Sequence, residues 1–499
     1  MIVTAANLSF SYEHLILNNL SFSLQQGETL AIIGSSGVGK STLLKIIAGL
    51  LPPTGGDLFN NAKKPIYVSQ EDSLLNWLTI IQNVALPYTI KGEPLAKIKD
   101  KALTALSLVG LEGYADSYPH QLSGGMKKRA ELARALAYEG DLILLDEPFS
   151  ALDILNREKL NVLVAQLTKQ TGAGLILVTH SIDEACYLAD KILLLNSPPH
   201  SEELLINDKA GNNSDDFILS EQSRANSNHL RLALKNNNEA IKTAKTPAKN
   251  VLFNKFKQLG LAVISLITFL LAISLVKTVF NIPDFLLPYP ATVARLFFTT
   301  LFNGFIFKDL SYTIMASLGG FGLALLLALP CGYTIARFKP LKELLLPPLI
   351  AANTIPIVAL APFIVMWVGL GLTPKIITAA LIVFFPILIT SITAFRLARK
   401  QTAMHLFFYK PNLLRGLFLL ELPASLPTIF SGIKISLATS VVGAVIGEFI
   451  SGADGLGSLL TIAKASFNTP LMFVALVWLV ILGLTYYAAA ALLEKLCVK

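Results

Sequence analysis

Three features of the sequence predict an α/β domain of the P-loop NTPase class followed by an all-α polytopic membrane domain of about six transmembrane helices. The first is Gly34-Ser35-Ser36-Gly37-Val38-Gly39-Lys40-Ser41-Thr42, set between a β-type run, Thr29–Ile33, and a helical run, Leu43–Gly49. The second is a series of apolar strand-like runs ending in polar or acidic residues: Gln70, Asp146-Glu147 and Thr179-His180. The third is a change of texture along the chain. Residues 1–250 read as a soluble α/β protein, whereas 259–495 are dominated by long apolar runs, so the averages over 499 residues (53% hydrophobic, mean hydropathy +0.59) describe neither half.

The net charge of +8 raises nucleic-acid binding, but many of the basic residues flank apolar runs, where they set membrane orientation. No nucleic-acid partner is expected. Cys186, Cys331 and Cys497 lie far apart and form no C-x-x-C pair, which fits a reduced compartment or lipid and gives no metal site. The segment Met1–Asn7 has no basic region leading into an apolar core, so the first domain is expected to stay in the cytoplasm.

Taken in order, residues 1–33 alternate β-like runs with turns: Leu8–Tyr12, Leu20–Leu24, then Thr29–Ile33 after Gln25-Gln26-Gly27-Glu28. Tyr12 is either an ordinary strand tyrosine or an aromatic that stacks on a nucleobase. In the phosphate loop, glycines let backbone N–H groups turn toward phosphates, and the helix start adds its positive end. Lys40 is placed to reach the β- and γ-phosphates, and Ser41 suits a Mg²⁺ ligand. Gln70 ends the strand-like run Lys63–Gln70 and is placed for a metal or an attacking water. Residues 95–118 have helical spacing and read as a surface helical subdomain. Gln121-Leu122-Ser123-Gly124-Gly125-Met126 opens a helix through Ala137, either as a plain cap or as a second place where backbone donors meet phosphate. Leu142–Leu145 is a buried strand leading to Asp146, placed for Mg²⁺, and Glu147, which can point at the water that attacks a γ-phosphate. A last strand, Gly174–Val178, ends in Thr179-His180, and Ser181-x-x-Glu184 predicts a capping box.

These stretches, with Leu145-Asp146-Glu147-Pro148 and Ser150-Ala151-Leu152-Asp153, stand in the order of an ABC transporter ATPase, which the first half resembles. Met126 and Leu74-Leu75-Asn76-Trp77-Leu78-Thr79 resemble the nitrate/sulfonate/taurine branch of importers; Asn76 and Lys128 depart from the proline and glutamine common there. The resemblance implies a head-to-tail dimer with ATP between one phosphate loop and Ser123, Gly124 and Gly125 of the other chain. It also implies Glu147 as general base, His180 as support for the transition state, Gln70 as a link to the membrane part, and Tyr12 stacked on adenine.

In the second half, apolar runs long enough to span a bilayer occur near 259–280, 311–335, 344–368, 375–395, 429–450 and 471–493. Placing the ATPase inside puts Arg337, Lys339, Lys342, Arg396, Arg399, Lys400, Lys410 and Arg415 on inner segments; the outer ones hold only Arg295, Lys308, Lys375 and Lys464. Glu421-Leu422-Pro423-Ala424-Ser425-Leu426-Pro427 and Ser451-Gly452-x-x-Gly455-Leu456-Gly457 resemble binding-protein-dependent permeases. That resemblance implies a coupling contact at Glu421, Leu422 and Pro423. The stretch His405-Leu406-Phe407-Phe408-Tyr409-Lys410 departs from the small-residue motif usual before it. Glu448 and Lys434 fall within the fifth apolar run and are candidates for function.

The expected organisation is an ABC ATP-binding domain at 1–235, a flexible polar and basic linker at 236–254, and a transmembrane permease domain at 255–499. The expected activity is ATP-driven import, across the cytoplasmic membrane, of a nitrate-, sulfonate- or taurine-type anion. A vitamin precursor (a thiamine pyrimidine or a flavin) is the alternative, and a half-size exporter the lesser one. Expected partners are a second copy of the chain, membrane lipid, a small-molecule substrate and a separate extracytoplasmic substrate-binding protein.

Overall fold

The computed structural model describes residues 1–149, 154–195, 203–206, 274–452 and 454–498, together with 268, 271 and 272. It divides into two units. One comprises Met1–Thr243 with Met404–Gly416, and the other Ala244–Ala403 with Leu417–Lys499. The expected linker, 236–254, and Ser150–Asp153 lie outside the described residues.

The first unit opens with β1 (Val3–Ser11), β2 (Leu15–Leu24), β3 (Thr29–Gly34), α1 (Lys40–Ile47), β4 (Gly55–Asn60) and β5 (Pro65–Val68). It continues with α2 (Ile80–Lys91), α3 (Leu95–Leu108), α4 (Gly124–Tyr138), β6 (Leu142–Asp146), α5 (Ile154–Thr171), β7 (Gly174–Val178), α6 (Ile182–Leu188), β8 (Lys191–Leu195) and β9 (Glu203–Ile206). A small antiparallel sheet runs β2-β1-β4, and the main sheet runs β5-β6-β7-β3-β8-β9, with only β9 antiparallel. β3, β6 and β7 are buried at every position. Such strands, covered on both faces, read as continuous apolar runs rather than alternating ones. This arrangement brings the phosphate loop after β3, the acids at the end of β6 and His180 after β7 to one edge of the sheet, where ligands bind in parallel α/β folds. Helices α2, α3 and α4 pack on one another beside this sheet, as the spacing over 95–118 predicts.

The second unit contains α7 (Pro290–Phe302), α8 (Phe307–Arg337), α9 (Lys339–Asn353), α10 (Ile357–Val368) and α11 (Leu372–Gln401). The chain then passes through α12 (Ala403–Tyr409), and resumes with α13 (Leu422–Ser451), α14 (Leu456–Ala465) and α15 (Thr469–Cys497). Among the described residues, four helices are long and apolar enough to cross a membrane, or five if α9 and α10 count as one span. The expected run at 259–280 falls largely outside the described residues. The run expected at 344–368 is not a straight helix: α9 and α10 meet at 91°. Pro356 caps α10 at that break, where it lacks an N–H and disfavours helical geometry in the residue before it.

Small residues let α8, α11 and α13 approach closely. A Cβ built on Gly320 would lie 2.5 Å from the Ala379 Cβ, and one on Gly443 would lie 2.6 Å from the Ala379 Cα. In lipid, where the solvent is as apolar as leucine, such backbone approach is a main source of helix association.

Glu448 is held by structural partners. Its carboxylate is fully buried and accepts hydrogen bonds from Thr313 Oγ1 at 2.8 Å and Gly457 N–H at 2.7 Å, at the start of α14. Lys434 pairs with Glu494 on α15 at 2.8 Å. Both intramembrane charges therefore have structural partners. Gly455 has φ of +117°, and a Cβ there would lie 2.3 Å from the Glu448 carboxylate carbon. Gly455→Ala is expected to destabilise the membrane unit by about 1–3 kcal/mol, read as a lower melting temperature of the full chain in detergent. An unchanged melt would contradict this tight seating.

Candidate ATP site

The phosphate loop turns through Gly37 and Gly39, at φ of +83° and +105°, conformations glycine adopts at no steric cost. α1 begins directly after it, so the loop N–H groups and the helix start converge. Lys40 is buried, and its ammonium donates to the carbonyls of Gly34 at 2.9 Å and Ser35 at 2.8 Å. Burial lowers its pKa, against the raising influence of Glu147 and Asp146. A cation held inside the loop at this cost is placed for the negative charge of a nucleotide.

Asp146 is 2% exposed. It accepts from Ser41 Oγ at 2.9 Å and Tyr67 Oη at 3.2 Å, and burial raises its pKa despite these bonds. Its only hydrogen-bond partners among the described residues are thus neutral hydroxyls, leaving a desolvated carboxylate that a hard cation would stabilise. Those residues hold no cluster of three His, Cys, Asp or Glu. This suits Mg²⁺, which takes one or two carboxylates and leaves its other positions to phosphate and water.

Glu147 has φ of +49°, unusual for a residue with a side chain, and its N–H donates to Val178 O at 3.0 Å. Strain of this kind concentrates at functional sites. Gln70 Nε2 donates to one carboxylate oxygen at 3.0 Å, and His180 Nε2 contacts the other. The pair Glu147–His180 borders a cleft that also touches Phe149 and Thr179. Three of the sequence-derived candidates therefore meet at one carboxylate.

Others lie apart. Ser123 caps α4, accepting from Met126 N–H at 3.3 Å, with Gly124 and Gly125 in its first turn. α4 packs on α2, α3 and β5, whereas α1 packs on β3, β6 and β7. Tyr12 lies just past β1, is 62% exposed, and packs edge-on against Phe10 with ring centres 4.8 Å apart. Only half of the expected capping box forms at α6. Ser181 Oγ accepts from Glu184 N–H at 3.3 Å, while the Glu184 carboxylate turns to Thr179 and Arg157.

The segment after Gln70 is clamped by Lys128 and by two side chains that sequence reasoning did not single out, Glu131 and Arg134. Glu131, fully buried on α4, accepts from the Ser73 N–H and hydroxyl. Lys128 donates to Ser69 O at 2.7 Å, Glu71 O at 3.1 Å and Glu131 at 2.9 Å, which gives the unusual lysine a structural task. Arg134 donates to Ser73 O at 3.2 Å.

Met404–Gly416 belongs to this same unit. His405, 2% exposed, faces Arg134 Nη1 through Nε2 at 3.2 Å. A guanidinium only donates, so that nitrogen accepts and the ring proton sits on Nδ1. Phe408 stacks on Tyr67 with centroids 6.1 Å apart, and Tyr409 meets Tyr138 edge-on at 5.7 Å. Tyr67 in turn donates to Asp146, so this segment reaches the acid beside the phosphate loop through two rings. Glu421, Leu422 and Pro423, the expected coupling residues, lie in the membrane unit, with Glu421 buried 3.7 Å from Arg337.

Comparison with known proteins agrees with this geometry. Residues 17–150 match the ABC transporter family model, and residues 320–497 match that of the binding-protein-dependent transport system inner membrane component. A taurine import ATP-binding protein of Pseudomonas aeruginosa is 45% identical over 209 residues, covering 40% of this chain and 80% of that protein. A riboflavin transport system permease protein of Chloroflexus aurantiacus is 43% identical over 222 residues, covering 44% of this chain and 83% of that one. An aliphatic sulfonates import ATP-binding protein of Bacillus cereus is 38% identical over 201 residues, covering 39% and 79%. The chain belongs to the ABC transporter family, with an ATP-binding domain and a permease domain fused in one polypeptide. It is an integral membrane protein whose ATP hydrolysis is coupled to transport.

Proposed function

We propose that two copies of this chain form an importer of a small taurine- or sulfonate-type anion in the cytoplasmic membrane, fed by a separate extracytoplasmic substrate-binding protein. The ATP-binding domain spans 1–235, the linker 236–254 and the permease 255–499, with the ATP-binding domain and both termini cytoplasmic. Each ATP lies between Gly34–Thr42 of one copy and Ser123, Gly124 and Gly125 of the other. The separation of the Ser123 turn from the phosphate loop within one chain supports this sharing. Tyr12, exposed beside Phe10, stacks on adenine. Ser41, Asp146 and Gln70 would hold Mg²⁺, which would supply charge neutralisation at the nucleotide phosphates. Glu147 orients and deprotonates the attacking water, with Gln70 and His180 fixing its two oxygens. Glu421, Leu422 and Pro423 carry the motion to the membrane helices.

The observation that carries the reading is the bracketing of Glu147 by Gln70 and His180 beside an intact phosphate loop, in a chain whose relatives are named for taurine and sulfonate import. The riboflavin permease relative favours a flavin as the second reading. Vesicles containing the chain and internal ATP, supplied with candidate binding proteins, are expected to accumulate labelled taurine. Accumulation of riboflavin instead would replace the anion, and uptake of neither with any binding protein would sink import.

A further inference from the structure

The cytoplasmic-type end of the membrane unit, where basic residues gather, carries a groove of about 640 Å³ between α9 and α11. Its walls are Leu346, Ile350, Ile389, Ile392 and Leu397; Lys342, Arg396 and Lys400 line one end, with Thr393 beside them. Among the described residues these three cations have no ion pair. The single acid on α9, Glu343, lies 4.0 Å from Lys339, and α11 contains no acidic residue. Nearby, Arg399 Nη1 donates to Arg337 O at 3.4 Å and Thr393 Oγ1 to Ile389 O at 2.9 Å. No residue of α9 is buried, and Ile350 is 53% exposed.

We propose that this groove binds an anionic phospholipid, with its headgroup phosphate on Lys342, Arg396 and Lys400 and an acyl chain along the apolar wall. The volume lies in the range of about 300–1,000 Å³ usual for ligand sites, and it is far larger than a small sulfonate requires. Apolar walls offer such a solute no donors, whereas an amphiphile matches both ends of the groove. A second copy of the chain is a poor occupant. A two-fold contact would set cation against cation, because the one acid on the two helices, Glu343, lies beside Lys339, and like charges across an interface are costly. Basic pockets between membrane helices on the cytoplasmic side are favourable places for anionic headgroups, each Lys or Arg adding an increment that salt weakens.

The test is native mass spectrometry of the full chain in detergent, titrated with phosphatidylglycerol or phosphatidylcholine of matched acyl chains. Phosphatidylglycerol is expected to bind at least about ten-fold more tightly, and Lys342→Gln/Arg396→Gln/Lys400→Gln to weaken it by roughly ten- to a hundred-fold. Ile350→Trp, which narrows the wall without changing charge, is expected to weaken both lipids, and it decides the matter should the triple variant melt early. Equal binding of the two lipids by the wild type overturns the proposal, as does phosphatidylglycerol binding that ignores Ile350→Trp. Displacement of the lipid by millimolar taurine overturns it in favour of a solute passage. Efficient disulfide formation between two Ile350→Cys chains in phosphatidylglycerol bilayers overturns it in favour of a contact between copies.

Discussion

Replacing Glu147 with glutamine is expected to remove ATP turnover while leaving ATP binding intact. The substitution keeps the side chain's length and shape, and its amide oxygen can still accept from Gln70 while its NH₂ faces the His180 ring. What it removes is the carboxylate that takes a proton from water. General-base catalysis is worth about 10²–10⁴-fold, so steady-state hydrolysis should fall by roughly that factor. Nucleotide retained on the purified variant should match or exceed that on the wild type, because the phosphate loop is untouched. Phosphate release assays and filter retention of labelled ATP separate the two effects. Residual hydrolysis within a few-fold of wild type would reassign the base.

The second large effect concerns acidity. His405 sits buried against the Arg134 guanidinium, and burial first, then that charge, push its pKa down from 6.5 to about 3. The unfolded chain therefore takes up a proton near pH 6.5 that the folded chain refuses until near pH 3. Stability from this residue is complete above about pH 6.5 and is lost as pH falls toward 3, at up to about 1.4 kcal/mol per pH unit. His405→Gln can still accept from Arg134 yet carries no proton to titrate. Its melting temperature is expected to decline less than that of the wild type between pH 7.5 and 5. Parallel declines would show that the imidazole is not held neutral. Asp146 and Glu184, whose pKa values burial raises, have slopes of opposite sign, but these are common to both proteins and cancel in the comparison.

Much of the ATP site was legible because its parts are local. A phosphate loop is defined by spacing within nine residues, and Asp146-Glu147 lie at the end of a strand whose unbroken apolar run marks it as central. The sheet order then brings Gln70 and His180 to them, which follows from the ends of neighbouring parallel strands. The clamp on Ser73 was not legible. Arg134 and His405 are 271 positions apart, and neither is distinguished by its sequence neighbours. His405 and the aromatic residues after it looked like a departure from a familiar small-residue pattern. In the structure they are what that segment uses to pack on Tyr67, Arg134 and Tyr138. The expected capping box at α6 half-formed because Thr179 and Arg157 hold the Glu184 carboxylate away from the helix start. The break between α9 and α10 was written in Pro356, but hydropathy averaged over the run conceals a sharp bend.

In the proposed reading, hydrolysis at this site serves import. The most direct measurement is ATP hydrolysis by the purified chain in lipid, wild type against Glu147→Gln, with and without each candidate binding protein and its solute. Stimulation by one loaded binding protein, absent in Glu147→Gln, is the predicted result. Hydrolysis indifferent to every binding protein, but raised by compounds added on the side of the ATP-binding domain, would contradict import and assign the chain to export.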